Sequence, residues 1–126
     1  MQKFGDNKLH PKLTLQLFTD DKCFGPGVAV LLEKIIEHNS LRQAASDINM
    51  SYSKAWTIIR RAEKELGFAL LVSKTGGADG GGATLTDEAM RLLRSFRECE
   101  QELNAYCCTK YTEYFSWISD ISNKEK

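Results

Sequence analysis

Hydrophobic positions along this chain recur first every second residue and then every third or fourth. In "LTLQLF" (13–18) Leu13, Leu15 and Leu17 fall on one side of an extended backbone, which predicts a short N-terminal strand. "DDKCFGPG" ends it, and Pro26 suits the first turn of a helix because its missing N–H is not needed there. Val28, Leu31, Leu32, Ile35 and Ile36 keep helical spacing, predicting a first helix over 26–38. Ser40 is placed to cap the next, "SLRQAASDI", with Gln43 where a capping box takes Glu or Gln. Leu41, Ala44, Ala45 and Ile48 form its apolar stripe, and the two alanines permit close helix approach. Ser51 caps a third helix, "YSKAWTIIRRAEKEL", in which Ala55, Ile59, Ala62 and Leu66 share one face. Gly67 follows, where a left-handed terminating residue is favoured.

Two capped helices a few residues apart, the first short and rich in alanine, read as a helix-turn-helix. "ALLVSK" (69–74) and "ATLT" (83–86) read as two short strands around the glycine-rich stretch, and a hairpin directly after a helix-turn-helix is a wing. Thr86 is a good N-cap for a last helix, with Asp87 and Glu88 suited to its positive end. Ala89, Leu92, Leu93, Phe96, Cys99, Leu103, Tyr106, Cys107 and Tyr111 continue a stripe, extended by Tyr114, Phe115, Trp117, Ile118 and Ile121. So long a stripe exceeds what a small body covers, so its outer half is expected to meet a second copy; a back-folded helix on the same chain is the alternative.

The expected fold class is therefore mainly α with a small β-hairpin: a winged helix-turn-helix followed by a long C-terminal dimerisation helix. The corresponding divisions are 1–85 (winged helix-turn-helix with its N-terminal strand), 86–120 (long helix) and 121–126 (tail).

Composition bounds the function. The 126 residues suit one domain with an appended helix. No apolar run approaches the roughly 18 residues of a membrane span, and the N-terminus lacks a signal-peptide core, so a cytoplasmic protein is expected. Cys23, Cys99, Cys107 and Cys108 have no zinc-like spacing and read as reduced apolar residues; a redox or metal-sensing role for vicinal Cys107 and Cys108 is the alternative. His10 and His38 are far apart in sequence, which argues against a histidine-based metal site or triad. No catalytic residue, cofactor or metal is expected. Net charge is zero, yet Lys54, Arg60, Arg61, Lys64 and Lys74 face only Glu63 and Glu65 between 51 and 74. A neutral total can hide a basic face.

"TGGADGGGATLT" (75–86) packs five of nine glycines into seven positions and raises the question of a phosphate loop. A nucleotide-binding loop needs a lysine and Ser/Thr after its last glycine, and the dinucleotide pattern needs Gly-x-Gly-x-x-Gly opening a helix. Neither occurs here. The stretch reads as a hairpin tip, either touching a DNA backbone or hanging in solvent.

With these elements in hand, "SLRQAASDINMSYSKAWTIIRRAEKELG" resembles the DNA-binding region of LysR-type and molybdate-responsive (ModE-type) transcriptional regulators. "SYSKAW" and the "TGG…GGGATLT" wing match the ModE type more closely, over about 14–106. The resemblance implies a homodimeric, non-enzymatic regulator that binds double-stranded DNA. Relatives of either type usually carry a C-terminal effector domain; this chain ends at Lys126 without one, so a stand-alone regulator is expected and no effector, molybdate included, carries over.

In the ModE-like arrangement the start of the third helix enters the major groove. Ser53, Lys54, Thr57 and Arg61 lie opposite the Ala55/Ile59/Ala62 face and are candidate DNA contacts. Ser51 is a cap and a candidate phosphate contact, and Tyr52 a candidate for stacking on sugar or bonding phosphate. Trp56 suits packing against a neighbouring helix or the wing. Arg60, Arg61 and Lys64 are either DNA contacts or a solvated helix end. Arg42 and Gln43 start the helix that crosses the backbone in this motif, and Lys74 and Thr75 lead into the wing. A winged helix used for protein–protein interaction is the main rival, supported by the neutral charge; a phosphate-binding enzyme comes third.

Overall fold

The computed structural model describes residues 8–74 and 82–124. Its elements are β1 (Leu17–Phe18), β2 (Lys22–Phe24), α1 (Pro26–His38), α2 (Leu41–Asp47), α3 (Tyr52–Leu66), β3 (Leu71–Lys74), β4 (Gly82–Leu85), α4 (Asp87–Phe115) and α5 (Trp117–Lys124). They form two compact units. One is Leu15–Phe96; the other combines the segment up to Thr14 with the chain from Arg97 onward.

The first unit is a helix-turn-helix with a wing, as its apolar spacing requires. α1 buries Val28, Ala29, Leu31, Leu32 and Ile35, α2 buries Leu41, Ala44 and Ala45, and α3 buries Ala55, Ile59 and Ala62. The alanines carry no side chain beyond Cβ, so the helices meet closely around Leu31, Leu32, Leu41 and Ile59. Between α2 and α3 the turn is made by Asn49, whose φ of 56° lies in the left-handed region that asparagine tolerates. Met50 N–H closes back onto Ala45 O at 2.9 Å. Gly67 ends α3 at φ 86°, where any side chain would be strained.

β3 and β4 pair antiparallel from Leu71↔Leu85 to Lys74↔Gly82. Gly82 also bridges Ser40, and Ala83 N–H reaches Asn39 O at 3.2 Å, so the wing is anchored to the α1–α2 junction. Thr86 joins wing to helix: its hydroxyl donates to Ala69 O at 2.7 Å and accepts Ala89 N–H at 3.0 Å as the N-cap of α4. The wing tip, 75–81, lies outside the described residues, and with it most of the glycine-rich stretch and Thr75.

Two expectations change. The strand expected over 13–18 shrinks to Leu17–Phe18, and the segment read as a strand breaker supplies its partner, Lys22–Phe24. Of the alternating leucines Leu17 alone is paired among the described residues, opposite Phe24, and Leu13, upstream of the hairpin, stays exposed. What the hairpin contributes to the core is Phe24, fully buried edge-on against Phe96 at 5.0 Å between ring centroids. The helix expected over 86–120 is interrupted at Ser116 and continues as α5.

In the second unit, Tyr111 Oη donates to Leu9 O at 3.0 Å and Trp117 Nε1 to Tyr114 O at 3.0 Å across the break. Tyr106, Tyr114, Phe115, Trp117 and Ile121 are exposed. Cys99 is exposed and Cys107 and Cys108 are half-buried. No helix of the described residues is long and apolar enough to cross a membrane.

Candidate nucleic-acid interface

The caps expected at α2 and α3 are present and set where their side chains start. Ser40 Oγ accepts Gln43 N–H at 3.1 Å, and Ser51 Oγ accepts Lys54 N–H at 3.2 Å. Among the described residues the Gln43 side chain makes no return bond, so the capping box is half formed. A serine that caps by accepting still holds a hydroxyl proton to donate outward.

From Ser51 onward, the side of α3 opposite Ala55, Ile59 and Ala62 is open. Ser53, Lys54, Thr57, Arg60, Arg61 and Lys64 are all exposed. Lys54, Thr57, Arg61 and Lys64 recur at intervals of three and four, which puts them on one stripe of the helix. Thr57 Oγ1 donates to Ser53 O at 3.0 Å. Its proton is thus committed to the helix, leaving the methyl group and the oxygen lone pairs to face outward.

Two cation–π contacts fix arginines near this stripe. The Arg42 guanidinium lies 4.1 Å from the centroid of the half-buried Tyr52 ring, tying the start of α2 to the start of α3. Tyr52 and Trp56 meet edge to face at 6.3 Å, both packed against the core, and Arg60 covers Trp56 at 4.5 Å. Arg60 also pairs with Glu63 at 3.0 Å, so it is held along the helix. Tyr52, a candidate for stacking on sugar, is occupied on one face by Arg42. Lys74 ends β3 beside the undescribed tip, and the structure describes only its backbone.

A side-chain cluster that sequence spacing did not reveal lies between α1 and α2. His38 Nε2 and Asp47 Oδ2 are 2.6 Å apart, and Lys34 reaches Asp47 at 3.7 Å and Glu37 at 3.3 Å. The hydrogen bond from His38 holds Asp47 below the usual carboxylate range, and the Glu37 carboxylate raises Lys34. Glu37, His38 and Asp47 bring their ligand atoms within 4.8 Å of one another, but Lys34 already supplies the compensating charge. The cluster fastens the ends of two helices.

This arrangement is a helix-turn-helix whose second helix leaves one polar, basic stripe exposed. Residues 29–90 match the family described as bacterial regulatory helix-turn-helix protein, lysR family. The matched segment extends from α1 into the first turn of α4 and contains every candidate DNA contact named above. The chain is also similar to the molybdenum transport protein ModE of Herbaspirillum seropedicae, 38 % identical over 71 residues, covering 56 % of this chain and 26 % of that protein. It is 38 % identical over 85 residues to the transcriptional regulator ModE of Haemophilus influenzae, covering 68 % and 31 %. To the DNA-binding transcriptional dual regulator ModE of Escherichia coli K12 it is 35 % identical over 85 residues, covering 68 % and 30 %. The chain thus spans under a third of the length of these relatives. A solved structure described as a probable transcriptional regulator from Pseudomonas aeruginosa aligns at 17 % identity with a TM-score of 0.48, over 71 % of this chain and 27 % of that one.

Proposed function

We propose that this chain is a sequence-specific, non-enzymatic transcriptional regulator that binds double-stranded DNA in the cytoplasm as a homodimer. The observation that carries the reading is the exposed stripe Lys54, Thr57, Arg61 and Lys64 on α3 of a LysR-type helix-turn-helix domain. Lys54 donates to guanine acceptors and the Thr57 methyl group meets a thymine methyl. Ser51, Ser53, Arg42 and Gln43 surround the start of α3 as phosphate contacts, and Arg60, Lys74 and Thr75 join from the helix flank and the wing. The dimer rests on the exposed Tyr106, Tyr114, Phe115 and Trp117, a concentration of aromatic surface that a monomer has little reason to leave in water.

Selection from random duplex DNA, followed by binding across a salt series, tests this. An inverted repeat is expected to emerge, with affinity falling steeply as salt rises. If no motif is enriched and binding is weak and insensitive to salt, the domain serves protein–protein contact instead. For the dimer, sedimentation of the full chain at micromolar concentration is expected to give twice the monomer mass, and truncation after Glu98 to give a monomer. A full-length monomer overturns the assembly.

A further inference from the structure

The β1–β2 hairpin lies beside the second half of α3, fastened by Thr19 Oγ1 donating to Glu65 Oε2 at 2.5 Å. Together they enclose an open groove of about 670 Å³, lined by Asp21 and Lys22 from the hairpin and Arg60, Arg61, Lys64 and Glu65 from α3. Arg60 pairs with Glu63, while Glu65 keeps its charge although it accepts the Thr19 hydroxyl. Lys22, Arg61 and Lys64 form no ion pair among the described residues, and the carboxylates lining the groove with them are Asp21 and Glu65. A concave surface with three unpaired cations against two carboxylates keeps a positive excess and draws an anion.

Its position identifies the anion. Arg61 and Lys64 continue the stripe that begins at Lys54, and ten residues of helix advance about 15 Å. The major groove is about 12 Å wide. A helix whose first turn enters that groove therefore carries Lys64 to its phosphate wall, where the hairpin presents Lys22. Resting on the DNA-binding reading, we infer that this groove receives a phosphate of the strand bordering the major groove. Lys22, which the sequence pattern did not single out, belongs to the interface, and the N-terminal hairpin is a second backbone-gripping element besides the wing. Asp21 moderates its grip.

The test uses the full chain, with Lys22→Ala and Asp21→Asn, both at exposed positions. Binding is measured on a selected site and on a random duplex over a salt series, with inorganic tripolyphosphate as a free-anion probe. Lys22→Ala is expected to lose about two- to tenfold on both duplexes, with a salt slope shallower by about 1. Asp21→Asn is expected to gain on both, because a repelling carboxylate is removed. If wild type binds DNA and Lys22→Ala binds equally well, the groove lies outside the interface and only this inference falls. Loss confined to one sequence makes Lys22 a base reader and overturns the phosphate assignment. Tripolyphosphate binding abolished by Lys22→Ala with DNA affinity intact makes the groove a small-anion site. If wild type binds no duplex at all, the DNA reading and the groove fall together.

Discussion

Glu63 Oε2 accepts the backbone N–H of Leu70 at 2.8 Å, so a side chain of α3 holds the entry to the wing. The same oxygen lies 3.4 Å from Leu71 N, and Oε1 pairs with Arg60. Leu70 is fully buried and has no side-chain means of replacing that partner. Glu63→Ala is therefore expected to destabilise the fold by about 1–3 kcal/mol, the cost of a part-buried donor left unpaired. Glu63→Gln keeps an acceptor but loses the charge assistance and is expected to cost less. Denaturant unfolding measures the first effect. Amide exchange at Leu70 and Leu71 localises it, and unchanged protection there would show that the wing is held by its strand pairing alone.

Much of this was legible because local chemistry and global packing agree. Ser40, Ser51, Thr86 and Gly67 each stand where a helix boundary was expected, and the structure shows the hydrogen bond or the positive φ that puts them there. The stripes of α1, α2 and α3 are buried as their spacing implies. The hairpin β1–β2 was not legible, since glycine and proline in "DDKCFGPG" signal a break whether or not two residues pair first. Phe24 could be weighed only once Phe96, 72 residues on, was placed beside it. For the same reason the groove at Lys22 and the His38–Asp47 contact escaped. Both join residues from different elements, and no periodicity encodes such meetings. The break at Ser116 was hidden because an apolar stripe continues across it.

The His38–Asp47 contact gives a pH dependence. Asp47 is held below its ordinary value of 3.8, chiefly by the bond from His38. A lowered carboxylate contributes stability that is fully present above 3.8 and disappears as pH falls through the lower folded value. Lys34, raised above 10.5 chiefly by its bond to Glu37, has the opposite window. Its contribution is whole below 10.5 and is lost as pH climbs through the raised value. Thermal unfolding of wild type and Asp47→Asn is expected to differ at pH 5 and to converge as pH falls through the lowered Asp47 value. A difference that does not shrink as the solution is acidified would mean the contact acts through packing and not through charge.

Lys54 separates reading from positioning. Its backbone N–H serves the Ser51 cap whatever its side chain, so Lys54→Ala leaves the helix start intact. If the ammonium group meets a base edge, specific binding is expected to weaken by about 1–3 kcal/mol, with relaxed preference at one position of the selected site. A loss shared equally by all sequences makes Lys54 a phosphate contact, and no loss on any duplex removes it from the interface.

The wing tip can be tested through the register of its strands. Lys74 pairs with Gly82, which is the closing pair a two-residue turn requires. Replacing residues 75–81 with Asn-Gly joins these partners by a type I′ turn whose twist matches the strands, so the fold is expected to survive. Gly82 stays, and with it the bridge to Ser40 that anchors the wing. If the native tip grips a DNA backbone, the shortened protein is expected to lose affinity on specific and random duplexes alike, because phosphate contacts carry no sequence information. Unchanged affinity would make the glycines a connection and nothing more. ATP and NAD are expected to bind neither form, since the stretch lacks the lysine and the following helix of a phosphate loop. Nucleotide binding by the native protein that vanished with residues 75–81 would overturn this reading of the glycines.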